Sequence, residues 1–416
     1  MSRPRQWDAA ISKFLNNVYT PKIKLGEILV MLDNSQASGS TTLTLVDIGD
    51  EISSSAEDFI ARSQTAVVEP PAKPSDEAEG GDPIQLLQMI TGMWVTQSIH
   101  TVATLGIADC IAEGAKDVET LAEQVRCNAD YLYRVMRALA GNGIFTEVSP
   151  RCFALTPTGQ YLRSDVPGSL RSLSLTISDE WQWNCFGDLL ETVKTGQSAM
   201  QRRYQVQDTF EYLTQVAPKS GEVFDHAMTG WASSIHMAIL ESYDFSGLSS
   251  LVDIAGGHGV LMSAILKRYP ALTGVVFDLP DVVSGATTTL ANAAISARCD
   301  VVGGSFFETV PSGKDAYMLS HILHDWSDDD CLKILNNIRQ AMPETGRLLV
   351  VEMLIPNGDT PHFGKLLDVT MLSIFSGGRE RTALEYTQLL QQAGFSVQRV
   401  VNTSGLVSVL EAVPAG

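Results

Sequence analysis

The stretch Leu251-Val-Asp-Ile-Ala-Gly-Gly-His-Gly259 decides the fold. Its apolar run reads as a buried strand, and glycines at 256, 257 and 259 open a tight turn into a helix. Glycine there lets a ligand approach the backbone, and the first helical turn offers free N–H groups to an anion. A dinucleotide fingerprint needs another glycine at position 262, where the residue is Met262, which counts against a nicotinamide cofactor. The next apolar run ends Val275-Val-Phe-Asp-Leu-Pro280. A carboxylate at Asp278, about 20 residues past the glycine turn, suits the two hydroxyls of a ribose. The pair fits adenosine and leaves its carrier open.

Downstream, strands are predicted at 250–254, 274–278, 300–303, 316–320 and 347–352. Helices are predicted between them, at 259–268, 282–293, 329–341 and 382–393. Near-continuous apolar strands alternating with helices predict an α/β fold with a doubly wound, mostly parallel sheet. Segments 395–402 and 406–412 predict a C-terminal hairpin that adds an antiparallel strand.

Upstream, Asp82 is placed as an N-cap and Pro83 suits a first helical position. Ile84, Leu87, Ile90, Trp94 and Val95 then recur at helical spacing. Helices at 101–113, 117–125 and 129–140, the last capped by Asn128, lead to a hairpin at 144–148 and 151–155. That order suggests a winged-helix-like unit. Arg126, Arg134 and Arg137 sit among acids, so no basic helix face forms, and a dimerisation or substrate-lid role is expected over DNA binding. Residues 1–82 read as a separate tethered piece, with a helix at 6–18, strands at 22–32 and 41–48, and a Pro/Glu/Gly-rich linker at 66–81. Docking to a partner or oligomerisation is its expected role. The expected domains are 1–82, 83–200 and 201–416.

The 416 residues carry a net charge of −19. So acidic a surface repels phosphate, which disfavours nucleic acid and anionic membranes as partners. No run of 18 apolar residues and no N-terminal apolar segment point to a membrane span or secretory signal. The six cysteines (110, 127, 152, 185, 299 and 331) are scattered with no zinc spacing, as expected of reduced thiols in a cytoplasmic protein.

Chemistry gathers in Ser320-His-Ile-Leu-His-Asp-Trp-Ser-Asp-Asp-Asp330, at the end of the fourth strand. Ligands of open α/β sheets bind in the crevice at such strand ends. His321 and His324 have a metal-like spacing, but no third ligand suggests itself and no metal is expected. Glu352 ends the fifth strand, and Glu380 lies in Gly377-Gly-Arg-Glu-Arg-Thr382. A histidine with a carboxylate partner is a general base held in one tautomer.

Together Val252-Asp-Ile-Ala-Gly-Gly-His-Gly259, His324-Asp-Trp-Ser-Asp328, Gly377-Gly-Arg-Glu-Arg-Thr382 and Ala393-Gly-Phe395 resemble the small-molecule O-methyltransferases of plants and bacteria. That family includes caffeate and hydroxyindole O-methyltransferases and bacterial natural-product tailoring enzymes. The resemblance spans about residues 83–416. It implies a Rossmann-like S-adenosylmethionine domain and a homodimer. By motif position it implies His324 as catalytic base, flanked by Glu352 and Glu380. Asp253, Gly256, Gly257, Gly259, Asp278, Leu279, Ser305, Phe306, Ser320, Asp325 and Trp326 are the expected cofactor contacts. Ser305 stands where the family commonly has an acid, Ala255 where glycine is usual, and Ser320 where many plant members have lysine.

The expected reaction is displacement of a methyl from S-adenosylmethionine by a phenolic or enolic oxygen of a small acceptor. Trp181, Trp183, Phe186, Phe224, Met228, Trp231, Met371 and Phe375 are candidate walls of an apolar acceptor pocket. The alternative is a homologue that keeps S-adenosylmethionine but performs a hydroxylation or pericyclic step.

Overall fold

The computed structural model describes residues 82–416, so the helix and strands expected within 1–81 lie outside the described residues. The chain divides into two compact units between Gly92 and Met93. In the first, Asp82 Oδ1 accepts from the Ile84 N–H at 2.9 Å and opens α1 (Pro83–Ile90). The sequence pattern extended this helix to Val95. It ends at Ile90, with Thr91 at its C-cap, and none of its residues is buried.

In the second unit, α2 (Gly92–Thr104) and α3 (Ile107–Cys110) replace the single helix expected at 101–113. Gly106 breaks it by adopting φ +67°, which α-helix geometry forbids. Next come β1 (Lys116–Asp117), α4 (Val118–Val125), α5 (Ala129–Ala140), β2 (Phe145–Ser149) and β3 (Cys152–Leu155). Asn128 caps α5 as expected, its Oδ1 accepting from the Tyr131 N–H at 3.1 Å. The strands pair antiparallel in the order β1-β3-β2. Val102, Leu121, Met136, Phe145 and Phe153 form the core of this winged-helix-like part.

Six helices that sequence reading left unassigned follow. They are α6 (Arg171–Ile177), α7 (Glu180–Gly187), α8 (Leu189–Thr195), α9 (Ala199–Tyr204), α10 (Thr209–Glu211) and the 25-residue α11 (Pro218–Ser242).

The main sheet comprises β4 (Ser250–Ile254), β5 (Thr273–Asp278), β6 (Cys299–Gly303), β7 (Ala316–Ser320), β8 (Arg347–Glu352), β9 (Phe395–Asn402) and β10 (Ser408–Pro414). Its order is β6-β5-β4-β7-β8-β10-β9. The first five strands run parallel, and β10 pairs antiparallel with β8 and β9. The α/β class, the doubly wound sheet and the antiparallel hairpin agree with the sequence reading. Five further α-helices accompany the sheet: α12 (Val260–Arg268), α13 (Pro280–Asn292), α14 (Asp328–Ala341), α15 (Phe363–Ile374) and α16 (Ala383–Gln392). Leu251, Met318, Leu349 and Val351 pack with α11, α12 and α13. Val252, Ile254, Tyr317, Leu319 and Val350 pack on the opposite face with α14 and α16. Burial on both faces explains why these strands read as unbroken apolar runs.

All six cysteines are free. Among the described residues, no helix is long and apolar enough to cross a membrane.

Candidate active site

Beyond the carboxyl end of β7 the chain turns through His321, in the left-handed region at φ +55°, into a 3-10 turn at Leu323–Asp325. Neighbouring elements pin this turn. The His321 N–H donates to Val351 O at 3.0 Å. Glu352 Oε1 accepts from the Ile322 and Leu323 N–H groups at 3.2 and 2.9 Å. The buried Arg381 donates to Leu323 O at 2.9 Å, Trp326 O at 3.0 Å and Asp328 Oδ1 at 2.6 Å. Arg379 N–H donates to His324 O at 2.8 Å. Gly378 permits that contact, since a Cβ there would sit 3.1 Å from His324 O and 2.7 Å from Phe375 Cβ. The Glu380 N–H is held by Asp368 Oδ1 of α15 at 2.8 Å.

These constraints bring His324, Glu352 and Glu380 together, all buried. His324 Nδ1 lies 2.8 Å from Glu380 Oε1 and 3.9 Å from Glu352 Oε2, and Nε2 lies 3.5 Å from Asp325 Oδ1. An ionised carboxylate only accepts, so Nδ1 carries the hydrogen facing Glu380 and Nε2 is the nitrogen left for proton exchange. One ligand atom from each of the three residues lies within 4.8 Å of the others, a spacing that suits a small cation. The Nδ1–Oε1 hydrogen bond brings His324 and Glu380 together, and the bonds from the Ile322 and Leu323 N–H groups place Glu352.

Burial penalises the imidazolium, but Asp325, Glu352 and Glu380 outweigh it and push His324 up to about 10. Burial pushes Glu352 up to about 7 and Asp325 to about 6, against the opposing pull of His324. Oε2 of Glu352 and Oε2 of Glu380 are buried without hydrogen-bond partners, which adds to the local cost of negative charge.

At the end of β4 the glycine turn opens toward Asp278. A Cβ at Gly256 would stand 2.7 Å from the Asp253 carboxyl, so the turn can approach that closely only without a side chain. Gly257, at φ +55°, has no atom within 4 Å of the Cβ position, which leaves its face open to a ligand. Asp278 Oδ2 accepts from the Gly257 N–H at 2.8 Å and Oδ1 from the Leu279 N–H at 2.7 Å. Each oxygen keeps a second lone pair for a hydroxyl donor. Asp253 is buried beneath and pushed up to about 7 by burial, with Asp278 reinforcing it. Gly259, at φ +71°, leads into α12.

Beside Asp278, Ser305 Oγ accepts from the Phe307 N–H at 3.3 Å. Phe306 and Phe307 pack edge-on against Trp326, with ring centroids 5.8 and 4.8 Å away. Ser320 ends β7, half-buried. The cradle therefore suits a nucleoside-bearing group: an open glycine face, a carboxylate for a ribose and aromatic edges for a base.

The candidate wall residues separate. Trp181, Met371 and Phe375 share one apolar cluster, with Phe224 packed against it. Phe210, which the sequence reading missed, packs at a tilt against Phe375, ring centroids 5.5 Å apart. Trp183 and Phe186 are half-buried outside that cluster, and Met228 is 36% exposed. Trp231 packs against the core below α11 and on the Phe363 ring at 5.6 Å. Arg381 and Asp368 were also missed as residues that shape the site. Arg381 stood in the quoted motif, but a lone arginine reads as a solvated charge until the carbonyls around it are seen.

A doubly wound sheet with such a turn, a ribose-suited acid and a carboxylate-held histidine at its strand ends defines the class of S-adenosylmethionine-dependent methyltransferases. The family model for an O-methyltransferase domain matches residues 186–396, and that for an O-methyltransferase dimerisation domain matches residues 87–165. The phenazine O-methyltransferase of Lysobacter antibioticus is 42% identical over 329 residues, covering 79% of this chain and 95% of that protein. The phenazine-1-carboxylate N-methyltransferase of Pseudomonas aeruginosa is 33% identical over 317 residues, covering 76% and 93%. A crystal structure of an O-methyltransferase from neocarzinostatin biosynthesis, with S-adenosylmethionine and 2-hydroxy-5-methyl naphthoic acid, gives a TM-score of 0.68. It is 31% identical and covers 81% of this chain and 99% of that one. The chain belongs to the O-methyltransferase family and is an S-adenosylmethionine-dependent enzyme of secondary metabolism. Its dimerisation domain supports a homodimer.

Proposed function

We propose that this enzyme methylates a phenolic or enolic hydroxyl of a fused-ring aromatic metabolite, with His324 as general base. The observation that carries the proposal is the 2.8 Å contact between His324 Nδ1 and Glu380 Oε1, which leaves Nε2 at the crevice end of β7. Relatives named for phenazines, and one solved with a hydroxylated naphthoic acid, support the acceptor class.

S-adenosylmethionine, when bound, would supply an electrophilic methyl on a sulfonium. Gly256, Gly257 and Asp278 would hold its nucleoside, with Asp253, Leu279, Ser305, Phe306, Ser320, Asp325 and Trp326 around it. His324 Nε2 takes the acceptor's hydroxyl proton. The carboxylates that raise the His324 imidazolium make the neutral ring a stronger acceptor of a phenolic proton than a free imidazole. Glu380 fixes the tautomer and ring plane and stabilises the imidazolium. Glu352 holds the turn by accepting two of its N–H groups. Trp181, Met371 and Phe375 exclude water from the side of the acceptor. The division at 1–82, 83–200 and 201–416 belongs to the same proposal: extension, dimerisation and lid domain, and catalytic domain.

The test is a mass-spectrometric screen with labelled S-adenosylmethionine against phenols, carboxylic acids and amines. A 14-dalton gain on hydroxy-aromatics is expected. Transfer confined to amines, or no transfer to any hydroxyl, would refute the reading.

A further inference from the structure

Two buried imidazoles, His321 beside His324 and His236 beside His321, take no part in the mechanism above. The ring of His321 lies 5.5 Å from that of His324 and is turned 79° to it. Its Nε2 is buried without a hydrogen-bond partner. His236 comes from α11, and its Nδ1 is likewise buried without a partner. His236 stands close enough to lower the His321 imidazolium slightly, which brings α11 beside the carboxyl end of β7. Burial pushes His321 down to about 3 and His236 to about 4, which keeps both neutral near pH 7. A neutral imidazole turns an N–H toward an acceptor by its choice of tautomer. Buried polar atoms are almost always hydrogen-bonded, so two unpaired ring nitrogens at one strand end call for a ligand. That strand end is also where open α/β sheets bind their ligands.

We propose that His321 Nε2 and His236 Nδ1 form an acceptor subsite that donates hydrogen bonds to a carboxylate on the ring bearing the methylated hydroxyl. The proposal rests on the functional reading above and narrows its acceptor to aromatic hydroxy acids. A carboxylate suits the subsite because it only accepts and can take both donors at once. It would lie beside His324, so the hydroxyl next to it on the ring falls to Nε2 of that base.

The experiment is equilibrium binding to the full chain saturated with S-adenosylhomocysteine, read by the fluorescence of two naphthalenes. These are 3-hydroxy-2-naphthoate and 2-naphthol, which differ only in the carboxylate. The wild type is expected to prefer the acid by about 10-fold or more, the value of a charge-assisted pair of hydrogen bonds. His321→Gly removes the ring without strain in a left-handed backbone, and His236→Leu removes the other donor. Each should bring the preference close to one while leaving 2-naphthol binding within about threefold, the size of an effect not involving the lost hydrogen bond. His321→Asn, which keeps a donor and tolerates the backbone, should retain part of the preference. Unchanged S-adenosylhomocysteine affinity confirms folding of each variant. Equal wild-type binding of the two probes, no binding of the acid, or a preference that survives both His321→Gly and His236→Leu would overturn the proposal. Binding requires no turnover, so failure of methyl transfer would sink the functional reading and leave this ratio intact.

Discussion

At the scale of single residues, the surroundings of His324, the proposed base, favour its protonated form. It accepts a proton only when neutral, and the carboxylates hold its pKa above the ordinary 6.5. The rising limb of kcat/KM against pH is therefore expected on the alkaline side of a free imidazole. Glu380→Gln removes one of the charges that raise it. That limb should move to lower pH while the maximum falls; a limb that stays in place would show that Glu380 does not tune the base. Ala255 offers a second test. Its φ of +57° is costly for any residue with a Cβ. Ala255→Gly should stabilise the protein by about 1 kcal/mol in urea unfolding, and a loss of stability would contradict the strain. The three catalytic candidates were legible in the sequence because each sits at a strand end or in a compact polar motif. Phe186 and Met228 were chosen by residue type alone. Their helices aim one out of the Trp181–Phe375 cluster and leave the other 36% exposed.

At the scale of elements, the site is a turn after β7 clamped from β8 and from the loop before α16. Arg381 is the fastener, fully buried and bonded to carbonyls on both sides of His324. Arg381→Met leaves those carbonyls without their donor and takes the nearer of two guanidinium partners from Asp328. It should destabilise the protein by about 3 kcal/mol and lower kcat by about 10-fold or more, the cost of slight misplacement of a catalytic group. Arg381→Lys should recover only part, since an ammonium cannot span the same acceptors. A normal kcat in the methionine variant would detach the clamp from catalysis. The strands were legible because burial on both faces leaves them few polar residues. The helices from Arg171 to Ser242 were not. All but α11 span eight residues or fewer, too short for an apolar period to show, and α10 is tied down by a distant bond from Thr209 Oγ1 to Ile374 O. Gly106 broke a helix whose apolar period ran straight through it.

At the scale of the whole molecule, two consequences follow. The first concerns pH. Glu352 is raised from 4.5 to about 7 and His324 from 6.5 to about 10, so the folded state binds protons more tightly than the unfolded chain. That stabilisation is complete below the unfolded values and is lost as pH rises through about 7 and then about 10. Calorimetry on ligand-free protein should show Tm falling between pH 7 and 10, where His324 loses its proton, with a shallower fall in Glu352→Gln, which removes one of the charges that raise His324. A Tm that climbs over that range would refute the charge assignment. The second concerns assembly. Met93 and Trp94 on α2 are 52% and 66% exposed, inside the span matched by the dimerisation domain. Large exposed apolar side chains grouped in this way mark an interface. Met93→Asp with Trp94→Asp should convert dimer to monomer in analytical ultracentrifugation, and an unchanged mass would place the interface elsewhere.

The most direct measurement is single-turnover methyl transfer by His324→Ala, alongside calorimetric binding of S-adenosylhomocysteine. The rate should fall by at least about 100-fold, as loss of a general base does, with affinity unchanged. A rate equal to wild type would mean that the acceptor's proton leaves by another route.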